Sequence, residues 1–212
     1  VISALNTRVG DRSLFAGQGT EGPAVADAQT ILASLDIAIA GAQSADDVQI
    51  AVSDWFDSPT GYAAAAYLGS TALAPLSIAQ GEAVTIDFTA ADPEIRDTLK
   101  GLAMAALLDR GALNGSPAAR ADLARLAGES LLTSQTGRAD MAARLGIAEG
   151  QIEAAKIRNG AETSALQIAR NGIISADPFE AAAKLETTQT QLETLFALTA
   201  RLSRLSLVDF LR

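Results

Sequence analysis

Few residue types that carry chemistry are present in this chain of 212 residues. It contains no histidine and no cysteine, which removes the commonest general base, thiol nucleophiles, disulfides and most transition-metal ligands. None of the three lysines, Lys100, Lys156 and Lys184, follows a serine by three residues, so a Ser-x-x-Lys nucleophile is absent. No acidic pair stands out from the ordinary charged surface as an acid/base couple. We therefore expect no enzyme activity, no catalytic residue and no cofactor.

One segment matches the glycine pattern of a dinucleotide-binding turn. Gly17–Gly22 has the sequence G-Q-G-T-E-G, and Asp36 follows at about the distance of a ribose-binding acid. However, the preceding apolar run is short and begins with charged residues, and Pro23 follows the third glycine. No β-α-β series continues the pattern, so we interpret the segment as a flexible turn.

A group of aspartates, Asp46, Asp47, Asp54 and Asp57, has the composition of a cation site. Their spacing is not that of an EF-hand loop, and the loop glycine is missing. Asp46 and Asp47 suit the first turn of a helix, where the helix dipole favours negative charge. We therefore expect helix-start residues here and no metal site.

Composition favours a helical protein that binds neither nucleic acid nor membranes. The net charge is −9 and the isoelectric point about 4.5, which argues against a phosphate-binding surface. Hydrophobic residues make up 49% of the chain but aromatic residues only 4%, and small aliphatic side chains suit close helix packing. The uncharged stretch from Ser58 to Gly81 contains Pro59 and Pro75, so we expect strand and turn there and no membrane-spanning helix.

Residues 24–110 predict a compact α+β insert. Apolar residues at helical spacing over Val25–Ile39 indicate one short helix. Ser44 and Asp47 predict the capping-box start of a second helix, which runs toward Trp55–Phe56. We interpret this aromatic pair as core, with an exposed recognition patch as the alternative.

The second part of the insert predicts a hairpin and a helix. Leu76–Ala79 and Ala83–Phe88 have the composition of two strands separated by a turn at Gln80–Glu82. Asp92–Pro93 then suits the start of a helix that continues to Leu107.

Two long helical regions complete the chain. The last has Asp177 as N-cap, Pro178 in the first turn and Glu180 in a capping box, and it is neutral overall. Ser116–Pro117 suits the start of the other, with Gly137 as a possible break. Steps of alternately four and three residues trace a heptad-like seam that two polar residues interrupt: Met141, Leu145, Ala148, Ile152, Ala155, Asn159, Glu162, Leu166, Ala169 and Ile173.

Three segments resemble the flagellin superfamily. Asn6–Gly17 (N-T-R-V-G-D-R-S-L-F-A-G) resembles the G-R-Y-L-F-S-G-T stretch of the hook-associated protein 3 family, and Ala200–Leu211 (A-R-L-S-R-L-S-L-V-D-F-L) resembles its S-x-L-S-L-x-D-Y-L ending. Ile173–Ala181 (I-I-S-A-D-P-F-E-A) is similar to the superfamily's I-E-D-A-D-Y-x-E-A bend. Family members carry long N-terminal helices before the first signature, which this chain lacks, and the chain begins at Val1 without a signal peptide. We therefore expect a fragment or a processed chain.

The resemblance implies a structural subunit that joins the flagellar hook to the filament by helical stacking. It implies a mainly α fold, with long helices in an elongated bundle or coiled coil and a short β-hairpin in the insert. The implied domains are residues 1–23 (the end of a helix, then a short strand and turn), the variable insert at 24–110, and C-terminal helices at 111–212 that bend near 171–178.

The implied partners are further copies of the chain, other hook-associated proteins, flagellin and an export chaperone. The implied location is the extracellular flagellum, reached without a cleaved signal peptide. Because the C-terminal helix is apolar nearly all round at its end, we expect neighbours to bury it. The expected assembly-interface residues are Leu192, Leu195, Leu198, Leu202, Leu205, Leu207, Val208, Phe210 and Leu211.

Two other functions stay open. Arg212 after Leu211 leaves a filament-forming flagellin as one alternative, and a secreted helical binding or adhesin module is another. If the seam lacks a partner helix, uncovered apolar stripes repack or associate. We therefore expect self-association.

Overall fold

The computed structural model describes residues 1–175 and 177–210, with side chains described as far as Arg204. It divides into two compact units, Val1–Ile157 and Arg158–Arg212. The described residues are mainly helical with two short antiparallel hairpins, which confirms the expected fold class. Pairing of the long helices in a coiled coil and the three-part division of the chain stay predictions.

The first unit begins with a short helix and a hairpin. Helix α1 spans Ile2–Leu5, and strands β1 (Arg8–Val9) and β2 (Arg12–Ser13) pair antiparallel. The Asn6 side chain holds this start to the rest of the unit, because it donates to the carbonyl of Val25 and accepts from the Val25 N–H, both at 2.9 Å.

The two predicted helices of the insert are present. Helix α2 spans Ala28–Ala38, and Asp27 caps it by accepting from the Thr30 N–H. Helix α3 spans Ala45–Asp57, and the predicted capping box between Ser44 and Asp47 is formed in both directions.

The predicted hairpin is present, but its second strand is shorter than expected. After helix α4 (Tyr62–Ala65), strand β3 (Leu76–Ala79) pairs antiparallel with β4 (Glu82–Val84). The expected extension of the second strand to Phe88 is wrong, because Val84 already pairs with Leu76, the first residue of β3.

Helix α5 (Pro93–Asp109) begins at the predicted proline and packs against α2 and α3. The core beside it contains Phe56, Tyr62 and Met104, each at most 1% exposed. The rings of Trp55 and Phe56 meet edge to face with centroids 5.0 Å apart, and Trp55 is partly buried against the core. The interpretation of the aromatic pair as core is therefore confirmed.

Helix α6 spans Pro117–Ile174 and begins where Ser116 accepts from the Ala119 N–H. The predicted break at Gly137 is wrong, since the helix continues through it. Gly137 instead lets α5 approach closely, because a Cβ there would lie 2.9 Å from Cγ of Glu94. Packing against α5 thus offsets the low helix propensity of glycine.

Helix α7 spans Pro178–Phe210, so the long helices separate within the predicted bend. Asp177 accepts from the Phe179 N–H, as expected of a residue at a helix start. Glu180 pairs with Lys184 one turn on, at 2.8 Å. Within the described residues, no helix is both long and apolar enough to span a membrane.

Candidate assembly surface

The predicted interface residues of α7 are exposed where their side chains are described. Leu192, Leu195, Leu198 and Leu202 are 48–66% exposed. Uncovered apolar residues at helical spacing form a stripe that water solvates poorly, and such stripes mark interaction sites. Of the remaining predicted residues, Leu205, Leu207, Val208 and Phe210 lie in α7 without described side chains, and Leu211 lies outside the described residues.

The threonine hydroxyls of α7 have hydrogen-bond partners within the helix. Five threonines each donate to the main-chain carbonyl four residues earlier, at 2.8–3.0 Å: Thr187, Thr188, Thr190, Thr194 and Thr199. Each of these five hydroxyl protons therefore has a partner within the helix, so burying the threonines against a neighbour leaves none of these donors unpaired.

The C-terminal part of α6 is also exposed along its apolar positions. Leu166, Ile168, Ile173 and Ile174 are 62–85% exposed. Of the predicted heptad-like seam, Ala148 and Ala155 are buried, whereas the later seam residues Leu166 and Ile173 are among these exposed ones. The second unit therefore presents apolar side chains from both of its helices.

The first unit contains an apolar groove that sequence reasoning missed. It lies between α5 and α6, has a volume of about 940 Å³ and is lined mainly by carbon atoms. Its walls include Phe15, Phe88, Ile95, Leu102, Leu131 and Leu132. These residues come from four distant parts of the chain. Only the helical spacing of Gly128, Leu131, Leu132 and Gln135 along α6 could have indicated one wall.

Two arginines lie in or next to the wall of this groove. Arg138 lines the groove and donates to the hydroxyls of Thr98 (3.0 Å) and Ser134 (2.6 Å). The Arg144 guanidinium lies 4.8 Å from the ring centre of Phe88, a cation–π geometry. Its distance of 3.8 Å from a Glu94 oxygen makes a loose ion pair. Arg138 is therefore the charged residue of the groove wall, and Arg144 lies next to the wall residue Phe88.

The glycine pattern at residues 17–22 forms part of a packed turn. Gly17 has φ +58°, and the N–H of the next residue, Gln18, donates to the Thr71 carbonyl at 2.9 Å. The strand before it pairs antiparallel, whereas a dinucleotide site requires a parallel β-α-β unit. The proposed ribose acid, Asp36, accepts instead from Arg110 Nε at 2.9 Å. The interpretation as a turn is supported.

The aspartates of α3 have structural partners. Asp47 accepts the main-chain N–H groups of Gln43 and Ser44, and Asp57 pairs with Arg96 (3.1 Å) and Lys100 (2.9 Å). Burial acts to lower the pKa of Lys100, but hydrogen bonds from its ammonium to Asp97 and Asp57 outweigh this and raise the pKa. Among residues 1–175 and 177–210, no group of acidic residues is arranged to hold a metal ion.

Long helices with uncovered apolar faces are features of a subunit that works by assembly. Residues 133–211, a little over a third of the chain, match the family model described as the bacterial flagellin C-terminal helical region. No curated protein and no solved structure matches the chain. The match indicates that this helical region is similar to the C-terminal region of bacterial flagellins.

Proposed function

We propose that this protein is the structural subunit that joins the hook of a bacterial flagellum to its filament. The observation that carries the proposal is the exposed leucine stripe of α7, which lies inside the flagellin-like region. The choice of the junction role within the superfamily rests on the resemblance of Asn6–Gly17 and Ala200–Leu211 to the hook-associated protein 3 family.

The mechanism is geometric rather than chemical. Helices α6 and α7 stack through their apolar faces on neighbouring subunits, and contacts of this head-to-tail kind build open helical assemblies. Residues 24–110 face outward and vary between relatives. In a longer form of the protein, N-terminal helices pair with the C-terminal ones and cover part of the exposed seam.

The proposed partners follow from a position between hook and filament. They are further copies of the chain, the other hook-associated proteins and flagellin, together with an export chaperone before assembly. The chaperone covers the C-terminal stripe in the cell, because a helix with this much exposed apolar surface associates prematurely otherwise. Export proceeds without cleavage of a signal peptide.

The test is immunogold labelling of intact flagella with an antibody against residues 24–110. A single band of label at the hook–filament boundary is the expected result. Label along the whole filament would show a filament-forming flagellin instead. Absence of label, with the epitope shown to be accessible on purified protein, would exclude both roles and favour a secreted helical binding module.

A further inference from the structure

We propose that Asn114 is a site of spontaneous deamidation, at which the main chain of the next residue converts the side-chain amide to a carboxylate beside Arg120. The inference goes beyond the flagellar role and does not depend on it, because it concerns only the turn between α5 and α6. Three features support it: the Asn-Gly sequence, the main-chain N–H of Gly115 and the position of Arg120.

The chemistry needs only the chain itself and water. The deprotonated main-chain nitrogen of Gly115 attacks Cγ of Asn114, and a cyclic imide forms as Nδ2 leaves as ammonia. Water then adds to one of the two imide carbonyls and breaks its bond to nitrogen. Opening at Cγ gives aspartate in an unchanged main chain, whereas opening at the main-chain carbonyl gives isoaspartate. Glycine suits the attacking position, because it has no Cβ and its backbone moves freely.

The fold distinguishes between three Asn-Gly pairs, at residues 114–115, 159–160 and 171–172. The last two pairs lie inside α6, which spans Pro117–Ile174. Within a helix each N–H donates to the carbonyl four residues earlier, so the nitrogens of Gly160 and Gly172 react only after the helix opens locally. Asn114 and Gly115 instead lie exposed in the turn before α6.

The turn leaves the attacking nitrogen outside its hydrogen bonds. The N–H of Asn114 donates to the Gly111 carbonyl at 3.3 Å, and the N–H of Ser116 donates to the Leu113 carbonyl at 3.0 Å. Between them, the N–H of Gly115 has no acceptor among the residues that the structure describes. No main-chain hydrogen bond of this nitrogen therefore has to break before it attacks.

Arg120 is placed to hold the carboxylate that the reaction forms. Its Nη1 donates to Oδ1 of Asn114 at 3.0 Å and to the carbonyl of Ala112 at 2.7 Å, and its Nη2 donates to the carbonyl of Leu108 at 2.8 Å. All three acceptors are neutral oxygens. Deamidation to aspartate turns the first of these bonds into a stronger, charge-assisted one.

Isotope labelling of the folded, full chain tests the site. The chain is incubated in mildly alkaline buffer made with water enriched in the heavy oxygen isotope, and each new carboxyl group is located by peptide mass spectrometry. We expect label at Asn114 to appear at least about tenfold faster than at Asn159 or Asn171, because local opening of α6 that costs about 1.4 kcal/mol slows the reaction tenfold. In the urea-unfolded chain, the three sites should react at similar rates.

Gly115→Ala tests the attacking nitrogen. An added Cβ would meet no atom within 4 Å, so the turn is retained, which circular dichroism checks. The methyl group hinders closure of the imide, and we expect the reaction at Asn114 to slow by about tenfold. Gly160→Ala and Gly172→Ala are matched controls, because both positions are equally open and neither change should alter the rate at Asn114.

A pair of substitutions tests the role of Arg120. Asn114→Asp imitates the aspartate product. We expect Arg120→Gln to lower the melting temperature more in the Asn114→Asp chain than in the unmodified chain, since only the aspartate loses a charged partner. An equal fall in both chains would contradict the placement of the carboxylate beside Arg120.

Two results would overturn the proposed site. One is a reaction at Asn159 or Asn171 that is as fast as at Asn114 in the folded chain. The other is a reaction at Asn114 that Gly115→Ala does not slow. Neither result bears on the flagellar role, which the antibody labelling tests separately.

Discussion

The guanidinium of Arg96 donates through Nη1 to the main-chain carbonyl of Phe56 at 2.8 Å, which connects the first turns of α5 to the last turn of α3. The same nitrogen lies 3.1 Å from a carboxylate oxygen of Asp57. One side chain therefore holds the two helices that enclose the aromatic core.

Removing this link should destabilise the first unit. We expect Arg96→Ala to lower the free energy of unfolding by about 1–2 kcal/mol, because a carbonyl at the edge of the core loses its charged donor. Urea unfolding followed by circular dichroism measures the change. Arg125→Ala is the control, because its pair with Glu129 is exposed on both sides and should contribute under about 0.5 kcal/mol. Equal effects of the two variants would contradict the prediction.

Gly17 should be the sensitive glycine of the turn at residues 17–22. Its φ of +58° disfavours any side chain, and an added Cβ would overlap the Thr71 carbonyl. We expect Gly17→Ala to cost about 2–3 kcal/mol. Gly19→Ala serves as the comparison, because its Cβ would meet Ser70 at 3.4 Å, and it should cost under about 1 kcal/mol. Thermal unfolding of the two variants is the measurement. A mild effect at Gly17 would mean that the loop adjusts freely.

Acid should weaken the helix starts. The Thr30 N–H, and then the Thr30 hydroxyl, lower the pKa of Asp27. The N–H of Gln43, and then the Ser44 side chain, lower the pKa of Asp47. A carboxylate whose pKa is lower in the folded state stabilises above its unfolded pKa, near 4, and this contribution disappears as the pH falls through the folded pKa.

The contribution of these two capping carboxylates can be tested by measuring the melting temperature between about pH 6 and about pH 2. For the unmodified chain, we expect the melting temperature to decrease as the pH is lowered below about 4. The double variant Asp27→Asn with Asp47→Asn should show a smaller fall. An unchanged profile in the double variant would show that other acids dominate.

Self-association should depend on the α7 stripe. We expect light scattering to give a mass that rises with concentration. Leu195→Glu should weaken the association by about tenfold to a hundredfold, because it places a charge where apolar surface is buried. Ala197→Glu, on the opposite side of the same helix, adds the same charge and should have little effect. A monomer at every concentration would contradict the prediction.

Local chemistry made the helix starts predictable. Ser44 with Asp47, Ser116 with Pro117, and Asp177 with Pro178 each place a side-chain acceptor or a proline at the right distance along the chain, and each start lies where expected. These signals need only a few neighbouring residues, which a single sequence contains.

Features that depend on packing were not predictable in the same way. Ile95 and Leu102 of α5 line the same groove as Leu131 of α6. The spacing of apolar residues within one helix does not show which other helix packs against it, so the groove could not be predicted. Glycine has a low helix propensity, which suggested a break at Gly137, but close packing of Glu94 against this position stabilises the helix there. The expected assembly residues rest on the apolar pattern of the C-terminal helix together with the family signatures, because none of them carries a distinctive reaction chemistry.

The threonines of α7 have a consequence for how freely the helix can shift along a neighbour. Since Thr187, Thr190 and Thr194 donate to carbonyls of their own helix, their hydroxyl protons require no acceptor from a partner or from water. Sliding or rotation of the helix then breaks none of these bonds. The leucines and the charged side chains, rather than the threonines, therefore set the position of α7 along a neighbouring helix.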